Sequence, residues 1–236
     1  MKEVFRYSLR HSMPIFISFA PVGLAYGLMM QTAGFNWIWT GATCLLVFAG
    51  SLQFLAVSFL AGGVSIVTVT IMALLLNSRH VFYGIPFIEQ WRKYGIWKLF
   101  LIYSLTDENF SLHCSNTFDD GNKEHKKWSF IFDALLTLVY WTGLSMLGAI
   151  AGSFLQFNAA GIDFALTALF IVILIEQIKA AKGKTLPAVI AAVSSVCCLI
   201  VFGTSRFILP SLLVTVLSLV VFRKAVTGAK EGSQHE

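Results

Sequence analysis

The sequence predicts an all-α, polytopic helical membrane protein with about six to eight membrane segments, some of them broken or re-entrant. Three observations carry this expectation. The chain is 57% hydrophobic and only 12% charged, with a mean hydropathy of +0.76, whereas a soluble domain is roughly one-quarter charged. Its charges are clustered. No Asp, Glu, Lys or Arg lies between Arg10 and Arg79, from Ala134 to Ile162, from Thr185 to Ser205, or from Phe207 to Phe222. Finally, runs such as Phe164–Ile175 and Val189–Val201 are continuously apolar. Lipid requires each backbone N–H and C=O to be satisfied within its own segment, which favours helices. Barrel strands would alternate in polarity instead.

Hydrophobic segments fall at about 12–31, 37–60, 64–87, 98–118, 128–155, 161–178, 186–204 and 207–222. Each approaches the roughly 20 residues that a helix needs to cross a bilayer core of about 30 Å. In the first, Pro14 and Pro21 remove backbone donors, and a helix break is expected at Pro21 and Gly23. Gly62-Gly63 marks a turn. Asp119–Lys123 and Lys182-Gly183-Lys184 are polar loops, and Pro187 suits the first turn of a helix. The apolar stretch after Arg10 runs on to Met30 and leads into another, so it is expected to be a retained first span and not a cleaved signal. The chain divides into one transmembrane domain, 1–226, and a flexible polar tail, 227–236.

Lys and Arg accumulate on the cytoplasmic side of membrane proteins. Lys2, Arg6 and Arg10 therefore place the N-terminus inside. Lys179, Lys182 and Lys184 make an inner loop, and Arg223, Lys224 and Lys230 place the C-terminus inside. The loops at 31–37 and 156–160 carry no base and face out. Arg92, Lys93 and Lys98 conflict with a scheme in which every segment crosses. Either the rule is broken there, or one segment between 37 and 87 is re-entrant and segment 98–118 enters and leaves on one side. A short internal repeat is suggested by Gly23-Leu24 and Gly143-Leu144. Each opens a glycine-rich stretch followed by an apolar segment carrying Gln53 or Gln177, in the manner of repeat-built transporters.

The net charge of +5 and the pI near 9.1 reflect bases in short loops beside spans, so no nucleic-acid partner is expected. Cys44, Cys114, Cys197 and Cys198 show no CxxC or Cys/His spacing and read as small buried hydrophobes. No metal or cofactor is implied.

Polar groups inside apolar segments are costly and therefore informative. Gly50, Ser51 and Gln53 lie in Phe48–Phe54, where local unwinding would expose backbone groups; a small-residue packing seam is the alternative. Asn77 and His80 share one helix face, Arg79 and Tyr83 another. Arg79 keeps its charge and needs a partner or water, unless it snorkels to the membrane edge. Asp107 and Glu108, adjacent on a helix, point about 100° apart. One could pair with Arg79 while the other titrates or meets a substrate ammonium, unless both are solvated surface acids. Glu176 and Gln177 read as interfacial, and Asp133 and Asp163 as structural.

In order and spacing, Phe48–Phe54, Asn77–Gly84 and Leu105–Asn109, together with Pro21–Gly27, resemble the AzlC family, the large subunit of bacterial branched-chain amino acid exporters. Leu52 and Ser78 stand where alanine is more usual. The resemblance implies a multi-pass protein of the bacterial plasma membrane that exports leucine, isoleucine, valine and similar apolar amino acids such as methionine. It also implies a small AzlD-like membrane subunit as partner and coupling to the proton-motive force. No GxxxxGK[ST] motif is present. The resemblance brings no substrate residue with it.

A zwitterionic amino acid needs backbone N–H groups or a cation for its carboxylate, carbonyls or a carboxylate for its ammonium, and an apolar pocket. Broken helix at Pro21–Gly27 and Gly50–Gln53, with Asp107, Glu108, Arg79 and His80, would meet these needs. An uptake permease or the membrane subunit of an ATP-driven importer is the alternative, but no loop exceeds about ten residues to dock an ATPase. A membrane enzyme lacks support, since HExxH, GxSxG and paired Cys/His sets are all missing.

Overall fold

The computed structural model describes residues 1–154, 171, 174–175, 178, 186–203 and 208–221. The expected segment 161–178, the loop bases Lys179, Lys182 and Lys184, Asp163, Glu176, Gln177, and the tail with its flanking Arg223 and Lys224 lie outside the described residues, apart from isolated positions. The chain forms two compact units, 1–166 and 167–236.

In the first unit, α1 (Lys2–Thr32) and α8 (Lys123–Phe154) form the central pair. They run parallel, because contacting residue numbers rise together. Ser8 donates to the Ser129 carbonyl (3.1 Å), His11 meets Asp133 (3.2 Å), Phe19 meets Trp141 (ring centroids 5.1 Å), and Gly152 faces Leu28 and Gln31. Between these contacts the backbones touch. A Cβ at Gly27 would fall on the Ser145 carbonyl, and one at Gly148 on the Leu24 carbonyl. Small residues give lipid-embedded helices this closeness, since apolar burial drives little helix association there.

The break expected at Pro21 and Gly23 is absent: α1 is continuous through Pro14 and Pro21. A proline removes one helical hydrogen bond, and α8 supports α1 from Ser8 to Gln31. Gly23 serves the pair instead, since its Cβ would lie 3.0 Å from that of Leu144. The Gly23-Leu24 and Gly143-Leu144 motifs thus meet across one seam.

Five helices connect this pair: α2 (Trp37–Val47), α3 (Gly50–Gly62), α4 (Ile66–Tyr83), α6 (Trp97–Tyr103) and α7 (Asp107–Ser115). Between α4 and α6 come two 3-10 turns flanking a single helical turn, α5 (Ile88–Trp91). Asn36 caps α2 through Ile38 N and Trp39 N, at the far end of the bundle where α1 finishes. α2 descends past Met146, which packs on Gly41. The chain then reverses at Phe48-Ala49: Gln53 of α3 touches Cys44 of α2 (3.5 Å), and Phe54 rises beside Tyr26 (5.3 Å). Nine further residues of continuous helix would have carried Gln53 about 13 Å away. The expected segment 37–60 is therefore a helical hairpin that reverses at Phe48-Ala49, not one continuous helix.

After the turn at Gly63 (φ +59°), α4 descends to the near end, where Phe87 and Trp91 pack on Phe130. α6 rises from the near end beside Trp128 (Trp97 ring centroid 5.2 Å), and α7 returns there, with Asn116 bonded to Ser129. Segment 98–118 is the second helical hairpin. Phe87, Trp91, Leu101, Leu105 and Ile131 pack together along it. The loop to α8 is built from carboxylate and amide turns: Asp119 accepts from Gly121 N, Asp120 from Asn122 N, and Asn122 from Glu124 N. A hydrogen bond from His125 holds the Asp120 carboxyl below its ordinary range.

Three described stretches are long and apolar enough to cross a membrane: Lys2–Thr32, Ile66–Tyr94 and Lys123–Phe154. They alternate with the two hairpins, which dip in from opposite ends. In the second unit, α9 (Leu186–Phe202) and α10 (Ile208–Val221) pack on one another. Pro187 sits in the first turn of α9, as expected. Cys44 and Cys198 are buried, while Cys114 and Cys197 are exposed, so the expectation of burial fails for two of the four.

The α1–α8 seam predicts a contrast between glycines. Gly27→Ala or Gly148→Ala forces backbones apart and should destabilise by about 1–3 kcal/mol. Gly143→Ala meets nothing within 4 Å and should be neutral or stabilise by up to about 1 kcal/mol through helix propensity. Thermal unfolding in detergent micelles measures both.

Candidate functional site

The two hairpin tips meet halfway along the bundle. The tip of the first lies where Phe48-Ala49 interrupts the helix and Gly50 starts α3. Ala49 offers no capping side chain, so the first N–H groups of α3 are left without a side-chain acceptor at this end. The tip of the second is Ser104–Thr106. Here Thr106 Oγ1 caps α7 by accepting from Asn109 N, and Asp107 and Glu108 occupy the first turn, where the helix dipole favours acids. Asn109 Nδ2 donates to the Ser104 carbonyl (2.5 Å), and its Oδ1 accepts from Thr137 of α8 (2.7 Å). The tips are tied directly: the Tyr103 hydroxyl donates to the Leu45 carbonyl, and the Phe48 and Tyr103 rings lie 6.2 Å apart.

Arg79 bridges both tips from α4. Its guanidinium donates to Ser51 Oγ (3.1 Å) and pairs with Asp107 (2.7 Å); His80 Nε2 lies 3.9 Å from the other Asp107 oxygen. Arg79 lies about 20 Å along α4, inside the apolar stretch. Yet its side chain is 43% exposed and that of Asp107 is 39% exposed, so the pair is not sealed in the protein interior. Arg79 Nε and Asp107 Oδ1 are themselves shielded and have no hydrogen-bond partner. The site thus holds one fixed cation, one fixed anion and unused hydrogen-bonding capacity on each.

Ser51, Arg79, His80 and Asp107 are brought together as the sequence suggested, and Gly50 opens the helix beside them. Asn77 is half-buried on α4, and Glu108 is exposed on another side of α7. Gln53 departs from expectation. It is buried, with Oε1 accepting from Trp141 Nε1 (2.9 Å) and Nε2 facing Cys44. It holds the first hairpin to α8, away from the Arg79–Asp107 pair.

A second polar cluster was missed. His11, Asn116 and Asp133 meet at the near end, and Thr137 and Asn109 continue it towards the hairpin tip. Asp133, read as structural beside an interface, is completely buried. Its signal was present in the spacing: Ser129, Asp133, Thr137, Trp141 and Ser145 recur every four residues, a buried stripe that winds slowly around α8.

The signature of the AzlC protein family matches residues 14–155. The chain is 38% identical over 226 residues to the branched-chain amino acid transport protein AzlC of Bacillus subtilis, covering 96% of this chain and 88% of that one. It is 33% identical to an uncharacterized membrane protein of Helicobacter pylori, covering 94% and 96%, and 27% identical to the inner membrane protein YgaZ of Escherichia coli, covering 74% of each. No solved structure matches the chain.

The two glutamine and serine positions should separate by stability. Gln53→Leu strands the buried Trp141 N–H and should cost about 1–3 kcal/mol. Ser51→Ala, at an exposed hydrogen bond, should change stability by about 0.5 kcal/mol or less. Thermal unfolding in detergent distinguishes them.

Proposed function

This chain belongs to the AzlC family of membrane proteins, and from that premise we propose that it is a secondary transporter subunit exporting branched-chain and similar apolar amino acids across the bacterial plasma membrane. The proton-motive force drives export, and a small AzlD-like subunit completes the transporter. The observation that carries this proposal is the Arg79–Asp107 pair at the junction of the two hairpin tips. An α-amino acid carries the same two charges about as close together. Its carboxylate can take the place of Asp107 beside Arg79 and the open N-terminus of α3, where backbone N–H groups favour anions. Its ammonium can take the place of Arg79 beside Asp107. The empty site closes its charges on one another, and the loaded site closes them on the substrate. Neither state leaves a lone charge at membrane depth, which would cost about 2.5–3.5 kcal/mol on insertion scales.

Charge placement supports an orientation. Lys2, Arg6, Arg10, Arg92, Lys93, Lys98, Lys123, Lys126 and Lys127 all belong to the near end of the first unit, whereas the far-end turns at 33–36 and 63–65 carry no base. Arg92, Lys93 and Lys98 thus lie at the same end as the N-terminus, which supports a near end that faces the cytoplasm. The C-terminus is assigned to the same side from Arg223, Lys224 and Lys230.

Three measurements test this. In proteoliposomes containing the chain and its small partner, Arg79→Ala and Asp107→Asn should each lower leucine transport about tenfold or more, since a hydrogen bond to a charged group contributes about 1.5–3 kcal/mol. Full rates in both, and in Glu108→Gln, would remove the charged pair from the mechanism. Cells fed a leucine-containing dipeptide should accumulate more leucine when the gene pair is deleted; unchanged leucine under that load argues against export. In a cysteine-free background, Val64→Cys should react with an impermeant maleimide from outside and Lys93→Cys from inside. The opposite pattern would restore full crossings for both hairpins.

A further inference from the structure

Asp133 lies about 15 Å along α8 from Lys123 and is completely buried. One carboxylate oxygen, Oδ2, accepts from Asn116 Nδ2 (2.8 Å) and faces His11 Nδ1 (3.2 Å). The other, Oδ1, is buried with no hydrogen-bond partner among the described residues. That unused oxygen is a position where a proton can be held. His11 supplies the route. Its second nitrogen, Nε2, meets Ser115 Oγ (3.1 Å), and its side chain is 17% exposed at the near end. The ionisable groups around the pair are Tyr7, stacked on His11, and Lys126, which donates to Asn116 and interacts with Asp133 and Asp119. From α7, His113 is buried with both ring nitrogens unpartnered and interacts with His11.

We propose that Asp133, reached through His11, is the proton-binding site of this transporter, and that its proton occupancy sets how firmly the α6–α7 hairpin is held on α8. This rests on the proposed proton-driven export. A proton from water binds Nε2 of neutral His11 and gives an imidazolium whose Nδ1–H faces Asp133. Transfer of that Nδ1 proton to the carboxylate leaves a neutral imidazole and a neutral acid, so one proton has entered and no other bond has changed. The Asn116–Asp133 hydrogen bond then loses its charge assistance. Asn116 ends α7, and Asp107 begins it. A change at the foot of the hairpin therefore reaches the Arg79–Asp107 pair at its tip through one short helix.

The test is an acid-minus-alkaline infrared difference spectrum of the purified full chain, with proton uptake itself as the probe. The expected result is a protonated-carboxyl band that is missing in Asp133→Asn. In His11→Gln the band should persist without the imidazole bands that titrate with it. A wild-type spectrum without the band, or one unchanged by Asp133→Asn, overturns the proposal. A transport arm separates it from the export reading. Asp133→Asn should lose pH-gradient-driven leucine accumulation by about tenfold or more, within the usual range of a coupling free energy, and keep leucine counterflow. Gradient-driven accumulation that survives in Asp133→Asn overturns the proposal. Should that variant lose both activities, His11→Gln decides: unimpaired gradient-driven accumulation overturns the proposal, and its selective loss supports it. A wild-type protein that moves no leucine by either assay overturns export, while the infrared band still judges the proton site.

Discussion

The backbone contact between α1 and α8 constrains everything else in the first unit. Gly27 and Gly148 let two helices of about thirty residues touch main chain to main chain. The pair is parallel, so the chain between them must make an odd number of crossings. One crossing, α4, is supplied by a long helix. The remaining residues are too short in each piece to cross, so they fold into hairpins that enter and leave on the same side. The hairpins are what remains once a parallel pair and a single return span are fixed.

Re-entrant backbone is tolerated at membrane depth only where it is covered by protein or lines a cavity. Cover by protein is what the packing shows. Trp141 and Tyr26 cover the first hairpin through Gln53 and Phe54, and Thr137 pins the second through Asn109. The exposed side of the tips is where Arg79 and Asp107 sit. The same breaks that shorten the helices therefore leave polar groups free halfway along the bundle, which continuous spans would have hidden in their own hydrogen bonds.

Much of this was legible in the sequence. The charge-free runs gave the membrane class. The islands at Gly50–Gln53, Asn77–His80 and Asp107–Glu108 gave most of the site, because a charge in an apolar run needs a partner. The conflict at Arg92, Lys93 and Lys98 marked the place where a simple count of segments fails. What could not be read was direction. Gln53 and Ser51 are two residues apart, yet one turns to α8 and the other to Arg79, and that choice depends on how sharply the chain reverses at Phe48-Ala49. Pro21 misled in the opposite sense. Its missing donor is a local property, whereas the continuity of α1 is a property of the partner it lies against. Asp133 was undervalued because its neighbours His11 and Asn116 are 122 and 17 residues away.

The unequal treatment of the helix ends at the tips bears on electrical tightness. Two carbonyls at the ends of α2 and α6 are occupied, Leu45 by Tyr103 and Ser104 by Asn109, while the N–H end of α3 stays open beside a guanidinium. On the proposed reading, a bare sodium or potassium ion finds a partner in Asp107 but is opposed by Arg79 and the α3 end, whereas a zwitterion is matched at both poles. Leakage of cations through such a site is disfavoured to that extent.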